Sequence, residues 1–130
     1  MGLKINIKTR VEWDDYDLIS NNGKKIEVKS AAYIQSWKQK TESKIVFNIS
    51  ENSRYDNKKN RYSDLYIFCL FSAKNELNIN PMNLSQWDFY IIDTDKINNE
   101  LGQQKSLSFS KLIKLNPIKC NFQDLQHLNI

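Results

Sequence analysis

The chain has 130 residues, of which 40% are hydrophobic and 26% charged, with three glycines and two prolines. That length suits one domain over residues 1–130 with a core of its own, and that composition excludes a disordered tract. A formal net charge of +4 tolerates a polyanionic partner without demanding one, while a single histidine and two cysteines with no CxxC exclude multi-histidine sites, zinc knuckles and a disulfide framework.

The N-terminal "MGLKINIKTR" carries charges where a signal peptide needs an apolar segment, and no apolar run anywhere reaches the length of a membrane span. A soluble cytoplasmic protein with no membrane partner and reduced thiols is expected. Residues 3–13 ("LKINIKTRVEW") alternate in part and predict a first strand. "YDLIS" (16–20) and "KKIEVKS" (24–30) predict two more, joined by the turn residues Asn21, Asn22 and Gly23. Ser30 can cap a helix running to about Lys40, because Ala31 and Ala32 favour helix and Tyr33, Ile34 and Trp37 give it an apolar stripe.

"KIVFNIS" (44–50) predicts a strand, "DLYIFCLF" (64–71) a central buried strand, and "QWDFYII" (86–92) another. Short helices are expected over "DTDKINNELG" (93–102), "SFSKLIKL" (108–115) and "FQDLQHL" (122–128). The fold class is therefore mixed α/β, with one sheet that helices can cover on both faces.

The hairpin over residues 16–30 raises a question of register. Asp17 lies on its first strand and Glu27 and Lys29 on its second, among apolar residues. A two-residue loop would set Asp17 opposite Val28, on the wrong face. A three-residue loop of Asn21, Asn22 and Gly23 sets Leu18 opposite Ile26 and Asp17 opposite Glu27, and a bulge near Asp17 would be another route. The loop residues favour three, since the common three-residue hairpin is a type I turn followed by a left-handed residue, which Gly supplies without strain.

Two opposed carboxylates repel unless a cation lies between them. Lys29 offers part of that compensation, and a hard divalent cation offers more because it takes oxygen ligands and leaves room for phosphate oxygens and water. The Lys29 ammonium could then orient an attacking water or stabilise charge in the transition state.

An Asp on one strand, then "EVK" at 27–29 on the next, resembles the PD-(D/E)XK nuclease superfamily, the restriction-endonuclease-like fold. The resemblance covers about residues 3–50 as the αβββαβ core of a central mixed sheet flanked by helices, with the first helix short or missing. It implies that Asp17 and Glu27 bind Mg²⁺, with Mn²⁺ able to substitute, that the Val28 carbonyl is a third ligand, and that Lys29 is the catalytic lysine. Gln35, on the predicted helix, matches the polar residue that several branches carry there, and a surface Gln would read alike. The family's extra acidic residue could be Glu12, although Asp14 and Asp15 stand equally near and a solvated acidic turn explains all three.

"SRYDNKKNRY" (53–62) interleaves Arg54, Lys58, Lys59 and Arg61 with Tyr55 and Tyr62, a composition suited to phosphate contact and base stacking and also to a solvated loop. Lys38 and its neighbours Lys40 and Lys44 would extend the basic rim. Trp13, Trp37 and Trp87 read as core or cleft wall. The expectation is a Mg²⁺-dependent endodeoxyribonuclease acting on DNA in restriction, defence or repair, as a single chain, a homodimer or part of a larger assembly. The alternative is a catalytically inactive nucleic-acid-binding or protein-interaction module on the same fold.

Overall fold

The computed structural model describes residues 5–6, 17–33, 44–53, 59–72, 80 and 82–128. In order these form β1 (Ile5–Asn6), β2 (Leu18–Ser20), β3 (Lys25–Ala32), β4 (Val46–Asn48), β5 (Asn52–Ser53), β6 (Lys59–Asn60), β7 (Leu65–Phe71), β8 (Trp87–Asp93), α1 (Thr94–Leu101), β9 (Ser106–Ser108), α2 (Phe109–Lys114), β10 (Ile118–Cys120) and α3 (Phe122–Gln126). The main sheet has six strands in the order β1-β2-β3-β7-β8-β10. All neighbours in it are antiparallel except β3 and β7, which run parallel. The protein is thus mixed α/β, with a mostly antiparallel sheet flanked by helices.

The apolar run "LYIFCLF" becomes the central strand for the reason its composition implies: every residue of β7 is buried, so both of its faces must be covered. On one face Tyr66, Phe68 and Leu70 join Tyr90 and Ile92 of β8 under Ile45, Phe47 and Ile49, with Leu107, Ile97, Leu112 and Leu115 completing the layer. We call this the inner face. On the other, Ile26, Leu65, Ile67, Phe89 and Ile91 pack against Leu125 of α3, with Phe122 and Leu128 at the margin. Helices α1 and α2 therefore serve one face and α3 the other.

Local chemistry sets the helix ends. Ser108 Oγ caps α2 by accepting from Lys111 N at 3.3 Å, and Asn121 Oδ1 caps α3 by accepting from Asp124 N at 2.8 Å. Helix α1 ends at Gly102, whose φ of +56° is the left-handed value that glycine adopts freely and whose N–H donates to Asn98 O. The two cysteines lie on the outer face, with Cys69 and Cys120 both paired in register to Phe89 between them. Both are free thiols, and burial pushes Cys69 up to about 12, with Cys120 adding to the effect.

The predicted elements correspond at β2, β3, β4, β7, β8 and all three helices. One expectation is corrected: Ser30, Ala31 and Ala32 do not open a helix but continue β3, paired in parallel with Cys69, Leu70 and Phe71. Seven consecutive pairs with a fully buried neighbour outweigh the helix preference of two alanines, which is worth only a few tenths of a kcal/mol per residue. The remainder of that predicted helix, 34–40, and most of the predicted first strand lie outside the described residues. Sequence reasoning had missed β9 and β10, each of three residues, and the pair β5–β6 that brackets the basic segment. Among the described residues no helix is long and apolar enough to cross a membrane.

The hairpin loop takes the three-residue form. Leu18 pairs with Ile26 and Ile19 with Lys25, Ser20 N donates to Lys24 O at 2.8 Å, and Gly23 N donates to Ser20 O at 2.9 Å, closing a turn in which Gly23 has φ +81°. A Cβ at Gly23 would meet nothing within 4 Å, so any penalty there is backbone strain alone. Gly23→Ala should therefore destabilise the fold by ~1–2 kcal/mol, read as a lower urea midpoint with unchanged slope.

Candidate active site

Parallel pairing of β3 with β7 fixes the site. Glu27 stands beside Tyr66 and Lys29 beside Phe68, and since Tyr66 and Phe68 belong to the inner core, Glu27 and Lys29 point into the same layer. Ile26 and Val28 take the outer face with Leu65 and Ile67. The alternation that buries Ile26 and Val28 thus also carries a carboxylate and an ammonium into the inner face.

Lys29 Nζ lies 3.1 Å from Glu27 Oε1, with side-chain exposures of 28% and 6% respectively. The carboxylate is buried and the lysine side chain only partly so. A buried carboxylate needs such a partner, because an isolated charge removed from water costs several kcal/mol.

Asp17 stands at the end of the β2–β3 ladder. Its N–H donates to Ile26 O at 2.9 Å although Leu18 is the residue paired with Ile26, so two residues of the first strand face one of the second, the count of a β-bulge. Its side chain crosses to β3, where Oδ2 accepts from Val28 N at 2.9 Å. The three-residue register thus holds at Leu18 and Ile19, while the bulge puts Asp17 on Ile26 in place of the expected pairing with Glu27.

Tyr66 reports on how these groups converge. Burial pushes its hydroxyl up to about 12; the Glu27 carboxylate adds to that, the Arg61 guanidinium opposes it and Asp17 adds again. Both motif carboxylates therefore act on one phenol on the inner face. The ring is held by stacking on Phe68, at 5.6 Å between centroids and 20° between planes.

Arg61 corrects an expectation. It is 4% exposed, and its guanidinium is turned into the chain. Nε donates to Ile49 O at 2.8 Å, one terminal nitrogen to Asn98 Oδ1 and Gly102 O, and the other to Gln104 O at 2.7 Å. With four of its five N–H donors on carbonyls and an amide, and buried, it is a tie between the end of β4, α1 and the segment leading to β9 and not the expected solvent-facing phosphate contact. Of the other expected site residues, Gln35, Lys38, Arg54, Tyr55 and Lys58 lie outside the described residues, and Lys59 is part of β6. Sequence reasoning missed Tyr66. Its signal was a phenol inside an otherwise apolar strand, but which β3 residue it would neighbour depends on a pairing across 39 positions.

Among the described residues no group of three or more His, Cys, Asp and Glu gathers as a metal site. The arrangement implied by the resemblance needs fewer: two carboxylates, from Asp17 and Glu27, and a backbone carbonyl. Such hard oxygen donors suit Mg²⁺ or Mn²⁺ and not softer metals. Comparisons with family models, curated proteins and solved structures found no match.

Two outcomes follow from this geometry. The unfolded chain's tyrosines ionise near pH 10 and Tyr66 only near 12, so stability should be unaffected by this group below about pH 10 and fall as pH rises from there toward 12; Tyr66→Phe should flatten that part of the denaturation profile. Arg61→Ala strips hydrogen bonds from buried carbonyls and should cost at least ~3 kcal/mol by urea unfolding, whatever its effect on nucleic acid.

Proposed function

We propose that the protein is a metal-dependent nuclease of the PD-(D/E)XK type that hydrolyses DNA phosphodiester bonds, with Asp17, Glu27 and Lys29 as its working residues. The observation that carries this reading is the buried Glu27–Lys29 pair on the inner face of a central strand, with the Asp17 carboxylate reaching the same strand from across the hairpin. Topology supports it in part: β1, β2 and β3 are antiparallel and β7 runs parallel to β3, but that fourth strand is 65–71 and not the expected 44–50, where β4 pairs with β9 outside the main sheet. Stability alone gives little reason for such a pair, because apolar residues of similar volume in its place are often neutral or stabilising.

Asp17, Glu27 and the Val28 carbonyl would hold a divalent cation. When bound, that ion supplies Lewis-acid polarisation of the phosphate and charge neutralisation. The chain's own groups do the rest. Hydrogen bonding from Val28 N fixes the Asp17 carboxylate, and the β3–β7 pairing fixes Glu27. Lys29, a partly exposed side chain, can align a water for in-line attack and stabilise negative charge on the phosphoryl oxygens. Lys24 and Lys44 are exposed and carry the positive charge a phosphate backbone requires.

The Glu27–Lys29 pair also suits a non-catalytic module, since each partner already compensates the other. Plasmid nicking with Mg²⁺ separates the two. The native protein should nick, and Asp17→Asn, Glu27→Gln and Lys29→Ala should each lose at least ~10²-fold; no nicking by the native protein, or equal nicking by Lys29→Ala, would refute the catalytic reading.

A further inference from the structure

The connection between β7 and β8 carries a cluster that the proposed chemistry does not use. Met82 is 86% exposed and Leu84 44%, two large apolar side chains turned outward one residue apart. The backbone that presents them is tied at several points. At its base Phe71 and Trp87 pair in register with ring centroids 5.1 Å apart, and Ser72 donates to Gln86 O from N at 2.8 Å and from Oγ at 2.9 Å. Further out, Asn80 N donates to Gln86 Oε1 and Asn83 N to Asn80 O, both at 2.9 Å.

The same bonds orient two amides. Asn80 Oδ1 accepts from Met82 N at 3.1 Å, and Asn83 Oδ1 accepts from Ser85 N at 3.1 Å and Ser85 Oγ at 2.7 Å. With both oxygens turned to the chain, each of these exposed side chains offers its amino nitrogen to a partner, and that group is a donor only.

We propose that this loop is a minor-groove contact for duplex DNA, in which Met82 and Leu84 wedge at a base step and the Asn80 and Asn83 amino groups read A·T pairs. The inference rests on the nuclease reading, which supplies the duplex. An A·T pair shows only acceptors in the minor groove, adenine N3 and thymine O2, and these match two donors; a G·C pair adds the guanine amino group, which meets them donor to donor. Met and Leu are among the apolar side chains that enter this groove between bases, in company with amides. A loop already held by its own hydrogen bonds loses little freedom on binding. A protein partner is the poorer fit, because protein interfaces centre on Trp, Tyr or Arg, and the described tip carries none of them. Ser72 lies four positions beyond Phe68, the partner of Lys29, so the loop begins about 13 Å along the strand from that row, on the order of one groove width of B-DNA.

The test is duplex binding without divalent metal, read by fluorescence anisotropy at one salt concentration. Three labelled duplexes are compared: A·T-rich, G·C-rich, and the G·C-rich one with inosine for guanine, which removes the minor-groove amino group and keeps the major-groove acceptors. The native protein should bind the A·T and inosine duplexes alike and at least about fivefold more tightly than the G·C duplex. Met82→Ser should weaken binding at least about tenfold. Asn80→Asp combined with Asn83→Asp, which keeps the oxygens that the loop uses, should erase the preference. Equal affinity of the native protein for all three duplexes overturns the proposal, as does native affinity in Met82→Ser or an A·T preference that inosine does not share. Self-association abolished by Met82→Ser, with duplex binding intact, would make the tip a contact between protein copies and overturn it too. Should the double variant fail to fold, the inosine comparison decides with the native protein alone. Plasmid nicking keeps the two readings apart: nicking without the duplex preference sinks this inference alone, whereas the preference without nicking upholds it and refutes catalysis.

Discussion

Parallel pairing between β3 and β7 is the constraint from which the rest of the structure follows. It runs unbroken from Ile26–Leu65 to Ala32–Phe71, and it leaves no freedom in which β3 side chains enter the inner layer. Because β7 is buried on both faces, whatever β3 carries alongside it is drawn toward the interior. Apolar residues do this at a profit in buried area; Glu27 does it with Lys29, two positions on and on the same face, meeting it at 3.1 Å. Slippage by one residue would exchange Glu27 and Lys29 for Val28 and Ser30, so the same pairing that builds the core also specifies the site.

A second device holds the layer above. Arg61 follows β6 and precedes β7, and its guanidinium joins Ile49, beyond β4, to Gly102 and Gln104 after α1. The Gly102 carbonyl at the end of α1 has no partner within the helix, and the guanidinium satisfies it while complementing the helix dipole. The small sheet of β4 and β9 is thereby anchored over Tyr66 and Phe68, with Phe47 tilted against Phe68 at 4.9 Å. The lid of the inner core and the floor of the site thus share one packing layer.

The local parts of this arrangement were legible in the sequence. Asn21-Asn22-Gly23 determined the loop length and hence the pairing of Leu18 with Ile26, because only a residue tolerant of positive φ closes that turn at low cost. "LYIFCLF" was readable as a buried central strand from its unbroken apolar character. What could not be read depended on partners far along the chain. Ser30, Ala31 and Ala32 favour helix by themselves and become strand because Cys69, Leu70 and Phe71 pair with them. Tyr66 looked like one more aromatic in a core strand until its neighbour proved to be Glu27. Strands of three residues such as β9 and β10 have too little alternation to register at all.

Arg61 and Lys29 show why charge on a sequence is a poor guide to contact. Both are cations, both lie close to Tyr66 or to its neighbour Glu27, and composition treats them alike. Their surroundings divide them. The Arg61 guanidinium is planar and forked, and three carbonyls and the Asn98 amide take up four of its five donors, so removing it unties the segments it joins. Lys29 is a point charge on a flexible stem, partly exposed and paired with one carboxylate oxygen, and it balances the charge of the buried Glu27. Of these two cations, Arg61 is therefore a tie between separate segments, and Lys29 serves a single carboxylate on its own strand.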